Sequence, residues 1–298
     1  MIEAGATMEL QRQVEAVVAR PGGDSTIPGS VAAELVAQHG LASAAELALL
    51  SLPLAAAMAR CAISGFRVAA VGIEAETGDL LLGGNLEFPG TDLTTTVHAE
   101  GFVALRARAR GRTLATLAVR EAHPCAHCRQ TLSESAAADG LTLVDLEGAR
   151  LTLADLYPWP FRPGALGIAG DVGGRTNWPG LVDVDGDAPG DVASALLDAG
   201  RRAHAPYSGA PSAVVLRTSD GRLVAAGCVE SVAFNPTTTA LQAALVEAVA
   251  IGADLAAISD GWLAAPQGGP VDPEPGFRSL LTAVAAGARA HALRWRTR

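Results

Sequence analysis

Four residues in two short stretches carry the chemistry to be expected of this chain. His98-Ala99-Glu100 opens one helical pattern, and Pro124-Cys125-Ala126-His127-Cys128 opens another. Cys-x-x-Cys at a helix start aims two sulfurs at one point, where the positive helix end and a bound cation both favour thiolates. His98, at the start of the other helix, adds a nitrogen. Two sulfurs and one nitrogen suit Zn²⁺, one per chain. Three protein ligands leave a tetrahedral ion one position for water, as in catalytic zinc sites. Glu100 lies two residues past His98, close enough to that water to move protons without being a ligand.

Each residue also has a plainer reading. Cys125 and Cys128 alone would suit a redox pair or half of a structural zinc site, but the chain has no second Cys-x-x-Cys to supply four sulfurs. His98 alone would be a surface or capping residue, and Glu100 alone a first-turn acid favoured by the helix dipole. His127 is expected to face solvent, and His123 to be a loop residue. Cys61 and Cys228 sit in apolar or small-residue surroundings without a partner at ligand spacing and read as inert.

The elements that must position these groups follow from periodicity. Apolar spacing predicts helices over 8–19, 30–39 and 43–59. Short apolar runs then predict paired strands over 66–74 and 79–86, a helix over 98–110, a strand over 113–119, a helix over 125–138 and a strand over 141–145. Residues 155–190 are rich in Pro and Gly and read as a connection with little regular structure. Sliding the chain over itself reveals a repeat at an offset of 143 residues, with TGDLLLGGNLEF (from Thr77) over DGRLVAAGCVES (from Asp220). Gly78, Leu80, Gly84, Glu87 and Thr94–Thr96 fall on identical residues, and Ser64-Gly65 meets Ser208-Gly209 with one gap. At the same offset His98 faces Leu241 and Glu100 faces Ala243, so the second copy cannot hold the metal. The expected organisation is an N-terminal helical segment (1–60), a zinc-binding domain (61–160), a linker (161–190) and a degenerate, non-catalytic copy (191–298).

Composition narrows the function. All 22 basic residues are Arg. The missing Lys amine excludes Schiff-base, pyridoxal phosphate, P-loop, protein kinase and Ser-Lys chemistries, since Arg does not deprotonate. A net charge of −9 opposes binding to nucleic acid or anionic lipid. Only 4% of residues are aromatic, which predicts layers of small aliphatic side chains, helices laid closely on a sheet. Glu46, Pro53 and Arg60 interrupt the longest low-charge stretch, so no membrane span is expected. The acidic N-terminus lacks a signal-peptide pattern and four Cys make no disulfide framework, which points to the cytoplasm. The Arg-rich end, 289–298, reads as a solvated helix terminus.

The pattern H-x-E followed by P-C-x-x-C is the general signature of zinc deaminases. With LPLAAAMARCAISGFRV (from Leu52), GGNLEF (from Gly83), TVHAE (from Thr96), PCAHCRQ (from Pro124), APYSGAPS (from Ala205) and VAFNPTTTALQAAL (from Val232), the chain resembles the two-domain, homodimeric cytidine deaminases of bacteria and plants. The resemblance covers nearly the whole chain. It implies a three-layer α-β-α fold of α/β class present twice, a homodimer, a nucleoside substrate and pyrimidine salvage. It implies zinc on His98, Cys125 and Cys128, Glu100 as proton shuttle, and Phe66 packed on the pyrimidine. Asn85 and Glu87 would hold the ribose hydroxyls, backbone groups of Ala99, His123 and Cys125 would surround the base, and Phe161 would pack on it. A His with two thiolates leaves Zn²⁺ formally neutral, unlike the three-Cys branch. The implied reaction converts cytidine or 2′-deoxycytidine to uridine or 2′-deoxyuridine plus ammonia. A deaminase of a cytosine-nucleoside analogue or antibiotic, a polynucleotide-editing deaminase and a non-enzymatic zinc-stabilised module are the alternatives. Two positions depart from the family pattern: Ala69 stands where Gly is usual, and Gly101 follows Glu100 where a larger residue is common. Either a close backbone approach requires Gly101, or it loosens the helix by about 1 kcal/mol relative to Ala.

Overall fold

The computed structural model describes residues 4–20, 22–120 and 123–297. Positions 1–3 and 298, at the ends of the expected first and last segments, and residues 21, 121 and 122 lie outside the described residues. Helix α1 (Ala4–Val18) leads through a two-residue strand β1 (Thr26–Ile27) to α2 (Gly29–Gln38) and α3 (Ala44–Ala56). Ser43 starts α3 by accepting the Glu46 N–H on its hydroxyl, satisfying one of the donors a helix start leaves unpaired. Leu47, Ala48, Leu52 and Ala55 of α3 are sealed against Ala69, Val71, Ile73, Leu80 and Leu82. The helical segment is therefore one layer of the first domain.

The first sheet adds β2 (Ala69–Glu74), β3 (Leu80–Gly84), β4 (Leu114–Arg120), β5 (Thr142–Val144) and β6 (Arg150–Thr152), in the order β1-β3-β2-β4-β5-β6. Because strand side chains alternate between faces, Ala70, Leu81 and Leu117 point away from α3. They pack with Ala99 and Val103 of α4 (Ala99–Ala109) and Leu132 of α5 (Ala126–Leu132). A short α6 (Leu153–Leu156) follows, held by a Thr152–Asp155 capping box.

The second sheet contains β7 (Leu181–Asp185), β8 (Ala213–Arg217), β9 (Leu223–Gly227), β10 (Asp260–Ala265) and β11 (Arg289–Thr297), with helices α7 (Gly190–Arg201), α8 (Ala240–Ala250) and α9 (Glu274–Val284). Its order is β7-β11-β10-β8-β9. The run β3-β2-β4-β5 recurs as β9-β8-β10-β11 with the same relations, two antiparallel pairings and then a parallel one. Helix α7 covers one face and α8 with α9 the other. The two domains share a core in which Phe102 and Leu105 of α4 join Leu241, Ala244 and Leu245 of α8. The three-layer α/β fold is thus present twice. Among the described residues no helix is long and apolar enough to cross a membrane.

Three elements differ from the sequence reading. The Arg-rich end is a strand, β11, and not a helix terminus: Leu293 and Trp295 are buried while Arg296 faces outward, a period of two. Residues 181–185, inside the stretch expected to be irregular, form β7 on the edge of the same sheet, where Asp183 and Asp185 meet Arg296. The helix expected over 125–138 ends at Leu132, and a single 3₁₀ turn (Ala138–Gly140) follows.

Candidate active site

Two helix N-termini converge on one point. His98 is the N-cap of α4 and Cys125 the N-cap of α5, so both residues sit where backbone N–H groups and helix dipoles favour negative charge. The Cys125 and Cys128 sulfurs lie 3.7 Å apart, and His98 Nδ1 lies 3.5 Å from the first and 3.3 Å from the second. Tetrahedral zinc with bonds of about 2.3 Å to sulfur and about 2.0–2.1 Å to nitrogen sets edges of about 3.8 Å between two sulfurs and about 3.5 Å between sulfur and nitrogen. The donor triangle matches a zinc site in size as well as in donor type. These three residues form the only His, Cys, Asp or Glu group found among the described residues with atoms close enough to share a metal ion.

The two thiols also share a hydrogen bond, which is the main cause that lowers Cys125 to about 4 and pushes the buried Cys128 far up. A metal ion held by these three groups would take the place of that shared proton. Glu100, in the first turn of α4, is 3% exposed. Burial pushes its carboxyl above the ordinary carboxylate range, against its own backbone N–H and the His98 ring, which lower it. Its carboxyl also hydrogen-bonds Cys128, so the acid lies beside the donor triangle.

A second group forms at the end of β3. Leu86 exchanges both backbone hydrogen bonds with Val97, an antiparallel register that sets Asn85 opposite His98 and Glu87 opposite Thr96. The buried Asn85 accepts the Val68 N–H (3.0 Å) and the Cys61 S–H (3.4 Å) and donates to the Phe66 carbonyl (3.0 Å). Glu87 accepts the N–H groups of Ile63 and Ser64, each at 2.8 Å, and the Ser64 hydroxyl. Burial works against its charge, but these donors outweigh it and hold the carboxyl below its ordinary range. Phe66 projects from this loop and is half exposed.

The remaining expected residues stand around this centre. Ala99 is fully buried. The His123 ring turns to Asp145 at 2.7 Å, and His127 is exposed. Phe161, half exposed, lies on a separate loop that the Gln130 amide ties to α5 by donating to the Phe161 carbonyl (2.6 Å) and accepting from the Tyr157 hydroxyl (2.8 Å). Burial raises the Cys61 and Cys228 thiols, in keeping with inert roles.

Sequence reasoning missed Ser64, Gln130 and Glu134. The Ser64-Gly65 repeat was the available signal for the first. Its partner Ser208 donates its hydroxyl to Glu230, and Glu230 also accepts the N–H groups of Tyr207 (2.9 Å) and Ser208 (3.1 Å). Gly65 and Gly209 both take φ near the left-handed region that these turns need, +67° and +65°. One carboxylate cradle is thus built in both copies.

Two stretches, residues 43–142 and 181–274, match the family described as the cytidine and deoxycytidylate deaminase zinc-binding region. The first begins with α3 and takes in all the proposed ligands, whereas in the second the pairing of Val229 with Thr238 repeats that of Leu86 with Val97, so Thr239, the N-cap of α8, stands at the position of His98 and Leu241 at that of Glu100, two residues before the places the constant offset gave. The chain is 39% identical over 247 residues to a cytidine deaminase of Cronobacter sakazakii, covering 80% of this chain and 81% of that one. It is 36% identical over 268 residues to one of Klebsiella pneumoniae, covering 87% of each. A solved Mycobacterium tuberculosis cytidine deaminase is 27% identical and covers 39% of this chain and 95% of its own at a TM-score of 0.34, so the two-domain arrangement rests on the paired family matches and the repeated strand order.

Proposed function

The chain belongs to the cytidine deaminase family, and from that premise we propose that it deaminates cytidine and 2′-deoxycytidine to uridine and 2′-deoxyuridine, taking up water and releasing ammonia. The observation that carries this reading is the zinc-sized triangle of His98, Cys125 and Cys128 with the buried carboxylate of Glu100 beside it. When bound, zinc lowers the pKa of a coordinated water to about 7 and so supplies a nucleophile at neutral pH. Glu100 takes the proton that the water gives up, delivers it to N3 of the pyrimidine as the oxygen adds to C4, then takes the proton of the new C4 hydroxyl and passes it to the amine as the C4–N bond breaks. A carboxylate in a dry setting suits both transfers because it needs no solvent to relay them.

Substrate placement falls to the second group. A carboxylate offers about four lone-pair positions. Glu87 commits three of them to the loop, leaving one for a ribose hydroxyl. Asn85 uses one of its two N–H donors on Phe66, leaving the other for a ribose oxygen. Phe66 and Phe161 pack on the pyrimidine, with the backbone of Ala99, His123 and Cys125 at its edge. The exposed apolar side chains Trp159 and Phe234 support a homodimer that covers them. A cytoplasmic role in pyrimidine salvage suits this substrate.

Glu100→Gln tests the reading. The amide keeps the shape and the zinc ligands, so metal content stays at one per chain. Turnover of cytidine, followed by ultraviolet absorbance, drops by at least the ~10²–10⁴-fold that a positioned acid–base group contributes. A metal-loaded variant that turns over within tenfold of the parent overturns the assignment.

A further inference from the structure

A buried carboxylate must find donors or it costs several kcal/mol. Glu134, 3% exposed, finds all of its side-chain donors in the other domain. It accepts from His204 Nε2 (2.8 Å), from the Tyr207 hydroxyl and from the Val232 N–H (3.0 Å). Burial, reinforced by the bond to Glu134, pushes the Tyr207 hydroxyl up, so it stays a donor. The backbone is tied as well: the Glu134 carbonyl accepts the Asp171 N–H (2.8 Å), and the Asp171 carbonyl accepts the Ala136 N–H (2.9 Å). Asp171 faces His204 Nδ1 at 3.5 Å and takes the Arg108 guanidinium at 2.6 Å. The strand pairings place the counterpart of Glu134 in the second copy within 277–286, a stretch with no Asp or Glu, so this carboxylate is a device of the first copy alone.

Glu134 lies two residues beyond the end of α5, the helix that carries both sulfurs. Seven residues are far fewer than the ~12–15 an isolated helix needs, so the direction of α5 is set from outside. Arg129 and Gln130 tie its middle to Pro124, Leu156 and Phe161 within the first domain. Its C-terminal end is tied by Glu134 to the second. We propose that Glu134 is a positioning residue through which the chemically empty domain fixes α5, and with it the Cys125 and Cys128 sulfurs, in the geometry that holds zinc. The proposal rests on the assignment of zinc to His98, Cys125 and Cys128.

The test uses the full-length, zinc-loaded protein and follows the rate at which excess chelator strips the metal. The thiolate-to-metal absorption of the cobalt-substituted protein gives a second readout of ligand geometry. Glu134→Gln keeps the side-chain shape and removes one acceptor oxygen, while Tyr207→Phe removes one hydroxyl in the second domain and serves if the first variant folds poorly. Both release zinc about five- to tenfold faster than the parent, at or below the lower end of the ~10–100-fold effect of removing a direct partner of a metal ligand. The double variant exceeds the faster single one by less than twofold. Arg289→Gln, which breaks an ion pair with Asp260 confined to the second domain, stays within twofold of the parent. Release at the parent's rate from Glu134→Gln and Tyr207→Phe overturns the proposal, as does equal acceleration by Arg289→Gln. A Cys125→Ala protein that still holds one zinc overturns the ligand assignment instead.

Discussion

The duplicated cradle allows one substitution to be made twice in a single chain, once where chemistry is proposed and once where it is not. In both copies one carboxylate oxygen takes two N–H groups and the other takes a Ser hydroxyl, and that hydroxyl in turn accepts the N–H of Phe66 or Ala210 at 3.0 Å. Glu87→Gln and Glu230→Gln leave a carbonyl oxygen for the two N–H donors and set an NH₂ against the hydroxyl, which must turn to accept. Two charge-assisted bonds become neutral ones of about half the strength. With neutral bonds worth about 1 kcal/mol net, and with solvent near both cradles, the cost is about 1–2 kcal/mol in each copy. Calorimetry reads this as a fall of about 2–4 °C in Tm per kcal/mol for domains of this size. Activity separates the two. Losing a charged hydrogen bond of about 1.5–3 kcal/mol to a ribose hydroxyl raises KM for cytidine about 10–100-fold in Glu87→Gln with kcat largely kept, the signature of uniform binding. Glu230→Gln leaves KM within twofold. The reasoning fails if Glu230→Gln raises KM as much as Glu87→Gln, or if Glu87→Gln destabilises the protein with KM unchanged.

Two glycines of the first domain should respond oppositely to Ala. A Cβ at Gly84 would stand 2.5 Å from the Ala59 backbone nitrogen, so Gly84→Ala costs about 1–3 kcal/mol in urea unfolding, whereas a Cβ at Gly101 meets only Val97 Cγ1 at 3.9 Å, so Gly101→Ala stabilises by about 0.5–1 kcal/mol. Low pH probes Asp260: burial opposes its charge, but Arg289, His291 and Ser259 outweigh it and hold the carboxyl at about 2. Its folded value lies below its unfolded one, so the stabilisation is complete above about pH 4 and is lost as pH falls from about 4 to about 2. Over that window Asp260→Asn loses less stability than the parent, and parallel curves would defeat the assignment.

What the sequence made legible was local. The sulfurs stand three residues apart at a helix start, His98 and Glu100 two apart at another, and a helix turn is enough to bring each pair onto one face. The repeat was legible because turns and close approaches demand specific residues, Gly65 and Gly209 for a left-handed φ, Gly84 and Gly227 where a Cβ would strike a neighbouring helix end. Elements defined by distant partners were not. Strand β7 owes its place to β11, more than a hundred residues away, and its acidic residues looked like loop chemistry until Arg296 was beside them. The alternation of Leu293 and Trp295 with Arg was present in the sequence, but the density of Arg hid it. Glu134 gave no sign, since nothing in Ser133-Glu134-Ser135 tells that the acid is buried under a second domain.

The two copies also separate what folding needs from what catalysis needs. The second copy keeps the Glu–Ser cradle, the turn glycine and the glycine at the strand end, each answering a backbone requirement. It has Ala210 in the place of Phe66, Cys228 in the place of Asn85, Thr239 for His98 and Leu241 for Glu100, so each group proposed to meet base, metal or proton is replaced by an apolar or small side chain. Glu87 alone belongs to both sets, because its carboxylate organises a turn with three of its positions and leaves one for a ligand. A residue with that double duty cannot be recognised as a ligand contact by its presence in a site, since Glu230 is present without one. It is the neighbours Phe66 and Asn85, absent from the second copy, that support the proposed substrate contact of Glu87.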